Sequence, residues 1–147
     1  MRALIQRVSQ ANVKIDEKII SEIKQGLLVL VCAMADDTEN EAEQMASKIS
    51  KIRIFNDENG KMNKSIKDIN GEALVVSQFT LAADTSRGNR PGFSYAAHPE
   101  KGEKLYEYFT KKLQETDINC KMGVFGGDMM VSLINDGPTT IWLDNKD

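Results

Sequence analysis

The start of the chain alternates apolar with polar side chains, which is typical of a half-buried β-strand. Within residues 4–15, Ala11 and Val13 are separated by a single polar residue, so one face of the strand can pack on a core while the other meets solvent. Turn-forming residues at 16–18 and a second apolar segment at 19–23 follow directly. The pattern therefore predicts an N-terminal β-hairpin.

Further apolar runs predict the remaining strands. Residues 27–33 are apolar on both faces, which is typical of a central strand. Residues 72–76 follow the turn signal Asn70-Gly71 and end in two valines, which favours a second buried strand. We expect Asp136-Gly137-Pro138 to break the chain sharply between two later strands. These and the other expected strands lie at residues 53–55, 118–122, 129–134 and 139–143.

Two segments show the period of amphipathic helices. The first begins at a capping box formed by Thr38 and Glu41, and the second begins near Pro99, a favourable first helical residue. Their apolar stripes are Ala42, Met45, Ala46, Ile49 and Ile52, and Leu105, Tyr106, Phe109 and Leu113. Two main helices and about seven to eight strands predict an α/β or α+β fold with a mixed, curved sheet and helices on one face.

The composition indicates one globular domain over residues 1–147. Apolar residues make up 41% of the chain and charged residues 28%, both ordinary for a soluble domain with a hydrophobic core. No apolar run approaches the length needed to cross a bilayer, and the segment 1–7 is charged too early for a signal peptide. We therefore expect a cytoplasmic protein with no membrane partner. Cys32 and Cys120 lie in apolar or alternating runs, which favours reduced, buried thiols.

The reactive side chains argue against several common mechanisms. His98 is the single histidine and precedes a proline, so a Ser-His-Asp hydrolase is not supported. Zinc would have almost no ligands, and no glycine motif for phosphates or dinucleotides occurs. The net charge of −3 argues against binding nucleic acid mainly through a positive field. A hydrolase with this sequence must therefore work without an imidazole base.

Polar residues appear where the strand at 72–76 should leave the sheet. The segment is Ser77-Gln78-Phe79-Thr80-Leu81, and rigid folds place reactive groups at such strand ends. From composition alone, a strand that becomes a polar loop is the ordinary interpretation. A second segment, Asn135-Asp136-Gly137-Pro138-Thr139-Thr140, changes it. Together the two segments resemble the D-aminoacyl-tRNA deacylase family, whose signatures are Ser-Gln-x-x-x and Asn-x-Gly-Pro-x-Thr.

The resemblance extends along the chain. Residues 1–8 are similar to the opening of the family's sequences, and residues 53–63 to their middle. Gly127 stands where the family commonly has alanine, Gly92 where it commonly has serine, and Thr139 where it usually has valine. Threonine preserves the shape of valine but adds a hydroxyl that needs a partner. These departures concern the fine geometry of the pocket.

The resemblance implies chiral proofreading: hydrolysis of the ester of D-aminoacyl-tRNA, and of glycine mischarged on tRNA, without metal or organic cofactor. It assigns the catalytic segment to Ser77, Gln78, Phe79 and Thr80. The ribose hydroxyl beside the ester can orient or activate water, so the protein must mainly position the substrate and stabilise the oxyanion. We expect the backbone amides of Phe79 and Thr80 to face the scissile carbonyl. The alternative makes Thr80 the nucleophile, although no neighbouring residue type obviously activates its hydroxyl.

The same resemblance assigns rejection of L-amino acids to Gly137 and Pro138. In the family the Gly-Pro bond is cis, and its two carbonyls point into the pocket of the partner subunit. There they meet the α-amino group and leave no room for an L side chain. By base rate alone an X-Pro bond would be trans. The resemblance therefore implies both the cis bond and a homodimer, since each site needs both chains.

A glycine- and proline-containing stretch at residues 82–93 predicts a surface loop. Its Arg87 and Arg90 are similar to the family's basic loop, which implies contact with the acceptor end of aminoacyl-tRNA. A solvated loop without a partner is the alternative.

Three other interpretations stay open at this point. One is a related animal-type deacylase with a trans Gly-Pro bond and relaxed chirality. The second is a noncatalytic RNA-binding dimer of the same fold, and the third is a structural dimer with no RNA role. Turnover of D-aminoacyl-tRNA separates the first from the other two.

Overall fold

The computed structural model describes residues 1–146, which form eight β-strands, two α-helices and one short 3-10 helix. The helices are α1 (Glu39–Lys51) and α2 (Pro99–Gln114), and the 3-10 helix, the Phe79–Ala82 turn, follows the sixth strand. The strands are β1 (Arg2–Ile15), β2 (Lys18–Ile23), β3 (Gly26–Cys32), β4 (Phe55–Asn56), β5 (Met62–Lys64), β6 (Glu72–Ser77), β7 (Asn119–Met122) and β8 (Met130–Asp144).

The main sheet is mixed, as predicted, and β1 pairs with three other strands. β3 and β2 pair in succession with one edge of β1, and β8 pairs with the other edge, all antiparallel. β6 runs parallel to β3, and β7 runs parallel to β6. α1 connects β3 to β6, and α2 connects β6 to β7. The carboxyl ends of three parallel strands therefore meet at one edge of the sheet.

The sheet is curved and buries apolar side chains on both faces. Leu27 and Val29 of β3 join a cluster formed with both helices, whereas Leu28 between them joins a second cluster with Leu74 and Val76 of β6. Adjacent residues of a strand point to opposite faces, so a run that is apolar at every position is required here. This confirms the central position predicted for β3.

The predicted hairpin and helix starts are confirmed. Asp16 and Glu17 have φ of 50° and 67°, the left-handed conformation that both central residues of a two-residue hairpin turn require. Thr38 Oγ1 accepts a hydrogen bond from the Asn40 amide at 3.2 Å, and Glu41 accepts one from the Thr38 amide at 2.6 Å. The capping box therefore starts α1, and α2 starts at Pro99.

Gly26 permits an unusually close approach between β3 and β6. The two strands pair from Gly26 and Glu72 onward. A Cβ at position 26 would lie 1.8 Å from the Glu72 carbonyl oxygen. Only glycine leaves this space free, so β3 and β6 begin in direct backbone contact.

Two predicted boundaries were wrong. Residues 53–54 do not belong to a strand; the Ile54 carbonyl accepts a hydrogen bond from the Arg7 side chain at 2.7 Å, and pairing begins only at Phe55. The sharp break at Asp136-Gly137-Pro138 is instead a bulge within the continuous strand β8. Gln6 pairs with Thr140 and Val8 with Asn135, so the extra residues protrude while pairing with β1 resumes on both sides.

Within residues 1–146, no helix is long and apolar enough to cross a membrane. The thiols of Cys32 and Cys120 are both free, Cys32 buried and Cys120 half-buried. Burial raises the pKa of the Cys32 thiol to about 11 and that of the Cys120 thiol to about 12. Both cysteines are therefore neutral thiols near pH 7.

Candidate functional site

The candidate site begins where β6 ends. Ser77 is the last residue of β6 and pairs with Val31, near the carboxyl end of β3. The Gln78 amide then donates to the Val31 carbonyl at 2.9 Å, so the chain is held to the sheet for one residue beyond the strand. In sheets with parallel strands, ligands bind beyond these carboxyl ends.

The Phe79–Ala82 turn leaves two backbone amides free. The Leu81 amide donates to the Gln78 carbonyl, and the Ala83 amide donates to the Thr80 carbonyl, each at 3.1 Å. Among residues 1–146, the amides of Phe79 and Thr80 find no acceptor, because the first N–H groups of a helix have no partner within it. Two adjacent donors are therefore available to an external acceptor.

The Thr80 hydroxyl is not placed next to a base. Its oxygen accepts a hydrogen bond from Gln78 Nε2 at 2.5 Å, and a side-chain amide cannot take up a proton. Thr80 is exposed and does not line the neighbouring cavity, whereas Ser77, Gln78 and Phe79 do. The contacts thus favour Gln78 as the residue that orients Thr80.

A cavity of about 760 Å³ opens beside these residues, a volume typical of a small-molecule site. Phe79 packs edge-on against Phe93 with ring centroids 5.0 Å apart. The other cavity walls comprise apolar side chains, a glycine segment and a polar rim: Val76, Phe125, Met129 and Val131; Gly126 and Gly127; His98, Lys101 and Asp128. Phe79 belongs to the predicted segment, whereas Phe93 and Phe125 were not identified from the sequence, because they lie on separate segments without a shared motif.

Gly127 and Gly92, two of the departures from the family's pattern, differ in the space around the position that a Cβ would occupy. A Cβ at Gly127 would lie 3.1 Å from the Val124 carbonyl oxygen and 3.2 Å from its Cβ, so alanine there would require a small displacement of Val124. A Cβ at Gly92 would meet no atom within 4 Å. Gly127 lines the cavity and Gly92 does not, so only the first affects the shape of the site.

Gly137 and Pro138 lie at the exposed tip of the β8 bulge, joined by a cis peptide bond. Below the tip, the Thr139 amide donates to Asn135 Oδ1 at 2.6 Å. Arg7, which is 7% exposed, donates from Nε to the Asp136 carbonyl at 2.9 Å. Asn135 and Arg7 therefore hold the bulge from both sides. This role of Arg7 could not be predicted from the sequence, because its partners are distant in the chain.

The structure does not bring all the expected site residues together within a single chain. Neither Gly137 nor Pro138 lines the cavity beside Phe79. Arg87 and Arg90 are exposed in a loop whose base is a bridge between Asp84 and Gly92. Hydrogen bonds from the hydroxyl and the amide of Ser86 lower the pKa of Asp84 and order the start of this loop. A single chain therefore presents three separate surfaces.

Acidic and metal-ligating side chains do not converge on the site. In the described part of the chain, residues 1–146, no group of three or more His, Cys, Asp or Glu side chains could hold a metal ion. Free backbone donors of this kind can donate to the carbonyl or oxyanion of a ligand.

The chain belongs to the D-Tyr-tRNA(Tyr) deacylase family, whose model matches residues 4–144. A D-aminoacyl-tRNA deacylase of Ruegeria pomeroyi is 60% identical over 144 residues, which cover 98% of this chain and 99% of that protein. A D-aminoacyl-tRNA deacylase of Thermotoga petrophila is 55% identical over 146 residues, 99% of this chain and 98% of that protein.

Solved structures share the fold over nearly the whole chain. A structure titled c-Myc DNA Unwinding Element Binding Protein superimposes with a TM-score of 0.93 at 41% identity and covers 98% of both chains. A probable eukaryotic D-amino acid tRNA deacylase superimposes with a TM-score of 0.83 and covers 97% of both chains, although only 16% of residues are identical. The second likeness concerns the fold alone.

Proposed function

We propose that the protein hydrolyses the ester bond of D-aminoacyl-tRNA, releasing the free D-amino acid and tRNA. The observation that carries this function is the pair of unused amides at Phe79 and Thr80, beside a cavity of suitable size. Family membership and the full-length similarity to D-aminoacyl-tRNA deacylases support the same reaction.

The proposed mechanism uses backbone donors rather than a side-chain nucleophile. Water, oriented by the ribose hydroxyl next to the ester, attacks the carbonyl carbon and forms a tetrahedral oxyanion. The amides of Phe79 and Thr80 donate to this oxyanion, and their fixed positions avoid reorganisation during the reaction. Collapse of the intermediate breaks the ester bond, and the proton lost by the attacking water passes to the departing ribose oxygen, which becomes a hydroxyl. Ser77 and Gln78 shape the wall of the cavity, and Gln78 holds the Thr80 side chain in place.

Rejection of L-aminoacyl-tRNA is proposed to come from Gly137 and Pro138 of the other subunit in a homodimer. Support comes from their position: both residues are exposed and lie outside the cavity of their own chain. The same strand exposes Met130, Ile134 and Trp142, at 72%, 53% and 45%, and large exposed apolar side chains favour an interface. Carbonyls held at the entrance exclude an L side chain, whereas glycine, which has no side chain, remains a substrate.

Arg87 and Arg90 are proposed to contact the phosphates of the tRNA acceptor end. Both guanidinium groups are exposed on a loop with an ordered base, and arginine binds phosphate in a bidentate manner. Replacing both by alanine should raise KM without lowering kcat, because neither arginine lines the cavity beside the free amides.

Parallel deacylation of D-Tyr-tRNA, L-Tyr-tRNA and Gly-tRNA tests the function. We expect turnover of the D and glycyl substrates at substoichiometric protein, no turnover of the L substrate, and rates unaffected by a chelator. Binding of aminoacyl-tRNA without release of the amino acid would instead identify a noncatalytic RNA-binding protein. Hydrolysis of both enantiomers would identify a deacylase with relaxed chirality.

A further inference from the structure

We propose that Arg2 is a positioning residue for the reaction, because it attaches the Phe79–Ala82 turn to β8. The turn carries the free amides, and β8 carries the bulge with Gly137 and Pro138. The inference rests on the proposed function, since the turn is the element to which that function assigns the oxyanion.

Arg2 contacts both elements with different parts of its side chain. One terminal nitrogen, Nη1, donates to the Leu81 carbonyl of the turn at 2.9 Å. Nε donates to Asp144 Oδ2 of β8 at 3.1 Å. The guanidinium also lies over the ring of Trp142, 5.5 Å from its centroid. The side chains of Arg2 and Asp144 are 27% and 10% exposed, so solvent screens this ion pair only in part.

The hydrogen bond from Arg2 binds the Leu81 carbonyl, which the hydrogen bonds within the turn do not use. Those bonds use the carbonyls of Gln78 and Thr80, whereas the Leu81 carbonyl is bound by Arg2. At the other end of the turn, Cys32 Sγ lies 3.7 Å from the Phe79 carbonyl oxygen. Arg2 and Cys32 are paired across β1 and β3, so the sheet holds the turn at both ends.

The geometry requires arginine rather than any cation. A planar guanidinium can donate to two acceptors on different elements while its face lies on an aromatic ring. A lysine ammonium is a compact charge that cannot keep this divergent arrangement. Arg2→Lys therefore conserves the charge but loses the connection.

The test compares Arg2→Lys and Asp144→Asn with Arg53→Lys, a matched change at an exposed arginine. We expect kcat for D-Tyr-tRNA to fall about 10- to 100-fold in Arg2→Lys, because small displacements of catalytic donors have effects of this order. KM should change less than about 3-fold, since the amides act mainly in the transition state. Arg53→Lys should leave both constants unchanged. The Asp144→Asn variant retains Arg2 and should show a smaller loss of kcat. In the double variant, the two losses should not add, because both changes disrupt the same contact.

Amide NMR resonances of Phe79 and Thr80 provide a readout that does not depend on activity. They should shift in Arg2→Lys and not in Arg53→Lys. Unchanged resonances together with a kcat within 2-fold of wild type would overturn the inference. If the wild-type protein failed to hydrolyse D-Tyr-tRNA, the proposed function would fall, and the resonance shifts would still decide whether Arg2 positions the turn. If Arg2→Lys did not fold, the Asp144→Asn variant would decide by the same two measurements.

Discussion

At the scale of the residue, the role proposed for Thr80 rests on its backbone N–H and not on its hydroxyl. Its hydroxyl oxygen accepts from a glutamine amide, and its own N–H has no acceptor within residues 1–146. A threonine nucleophile would need a neighbouring base, and Gln78 cannot serve as one. The chemistry proposed for this position is therefore available to any residue that retains the amide.

Thr80→Ala should keep kcat within about 3-fold of wild type, because it preserves the N–H. Incorporating lactic acid at position 80 replaces that N–H by an ester oxygen while keeping the same methyl side chain. This second change should lower kcat by about 100- to 1000-fold, the usual effect of losing one oxyanion donor. Single-turnover deacylation of D-Tyr-tRNA measures both. Loss of activity in Thr80→Ala with full activity in Thr80→Ser would point to a nucleophilic hydroxyl instead.

Gly137→Ala should lower the free energy of unfolding by about 1–3 kcal/mol. Gly137 has φ of 141°, and a Cβ there would lie 2.6 Å from Thr139 Oγ1 and 3.0 Å from Arg7 Nη2. Urea denaturation measures the change. Gly60→Ala is the control, because Gly60 also has a positive φ, 75°, but open space around its Cβ position. Equal losses in the two variants would show that the bulge is not closely packed around Gly137.

Short motifs could be identified from the sequence better than the side chains that hold those motifs in place. Ser77 to Thr80 and Gly137-Pro138 stand out because each is a compact signature. Arg2 and Arg7 do not stand out, because their roles depend on partners such as Asp144 and Asp136, more than 100 residues away. An arginine in an alternating strand is ordinarily a solvated side chain, and only the folded chain shows otherwise.

At the scale of the element, the capping box couples the start of α1 to pH. The hydroxyl and amide of Thr38 hold the pKa of Glu41 at about 2, below its ordinary value of 4.5. The folded state thus binds this proton less readily than the unfolded state. Ionised Glu41 therefore stabilises the folded state. This stabilisation is complete above about pH 4.5 and is lost as the pH falls towards 2.

Glu41→Gln should remove this part of the acid sensitivity. The difference in urea midpoint between wild type and Glu41→Gln should shrink as the pH falls from 5 to 2. Glu39→Gln, in the same first turn of α1, should not change the pH dependence in this way. A constant difference for Glu41→Gln over the whole range would contradict the role assigned to the capping box.

Elements that begin at capping or turn residues could be predicted. Elements whose extent depends on pairing with a distant strand could not. The helices and the first hairpin have capping residues and turn residues within a few positions. In contrast, β8 runs through Asp136-Gly137-Pro138 because β1 continues to pair on both sides. The 3-10 turn after β6 was expected only as a polar loop, because its single turn has no apolar period to detect.

At the scale of the whole molecule, the proposed site is shared between subunits, and mixing two variants can test this. Pro138→Ala should relax rejection, so that D- and L-Tyr-tRNA are both hydrolysed. Phe79→Pro removes one free amide and should be inactive. When Phe79→Pro is mixed in excess with Pro138→Ala, each Pro138→Ala chain should pair with a Phe79→Pro chain. The intact turn of the first chain then faces the intact Pro138 of the second. Hydrolysis of L-Tyr-tRNA should then fall, while that of D-Tyr-tRNA persists.

The control is a double variant, Phe79→Pro with Pro138→Ala, added in the same excess. It should leave hydrolysis of L-Tyr-tRNA unchanged. Light scattering should give the mass of two chains for every protein in the experiment. If the excess Phe79→Pro protein has no more effect than the double variant, Pro138 does not act across subunits.

Gly26 lies at the far end of β3 from the cavity, yet the close approach that it permits sets the register of β3 against β6, the strand that leads to Ser77. With any larger residue, the start of β3 would have to slide past Glu72 or move away from it. A slide by one position would exchange inward and outward side chains along β6 and turn Ser77 away from the cavity. The absence of one methyl group therefore sets the alignment on which a distant pair of amides depends.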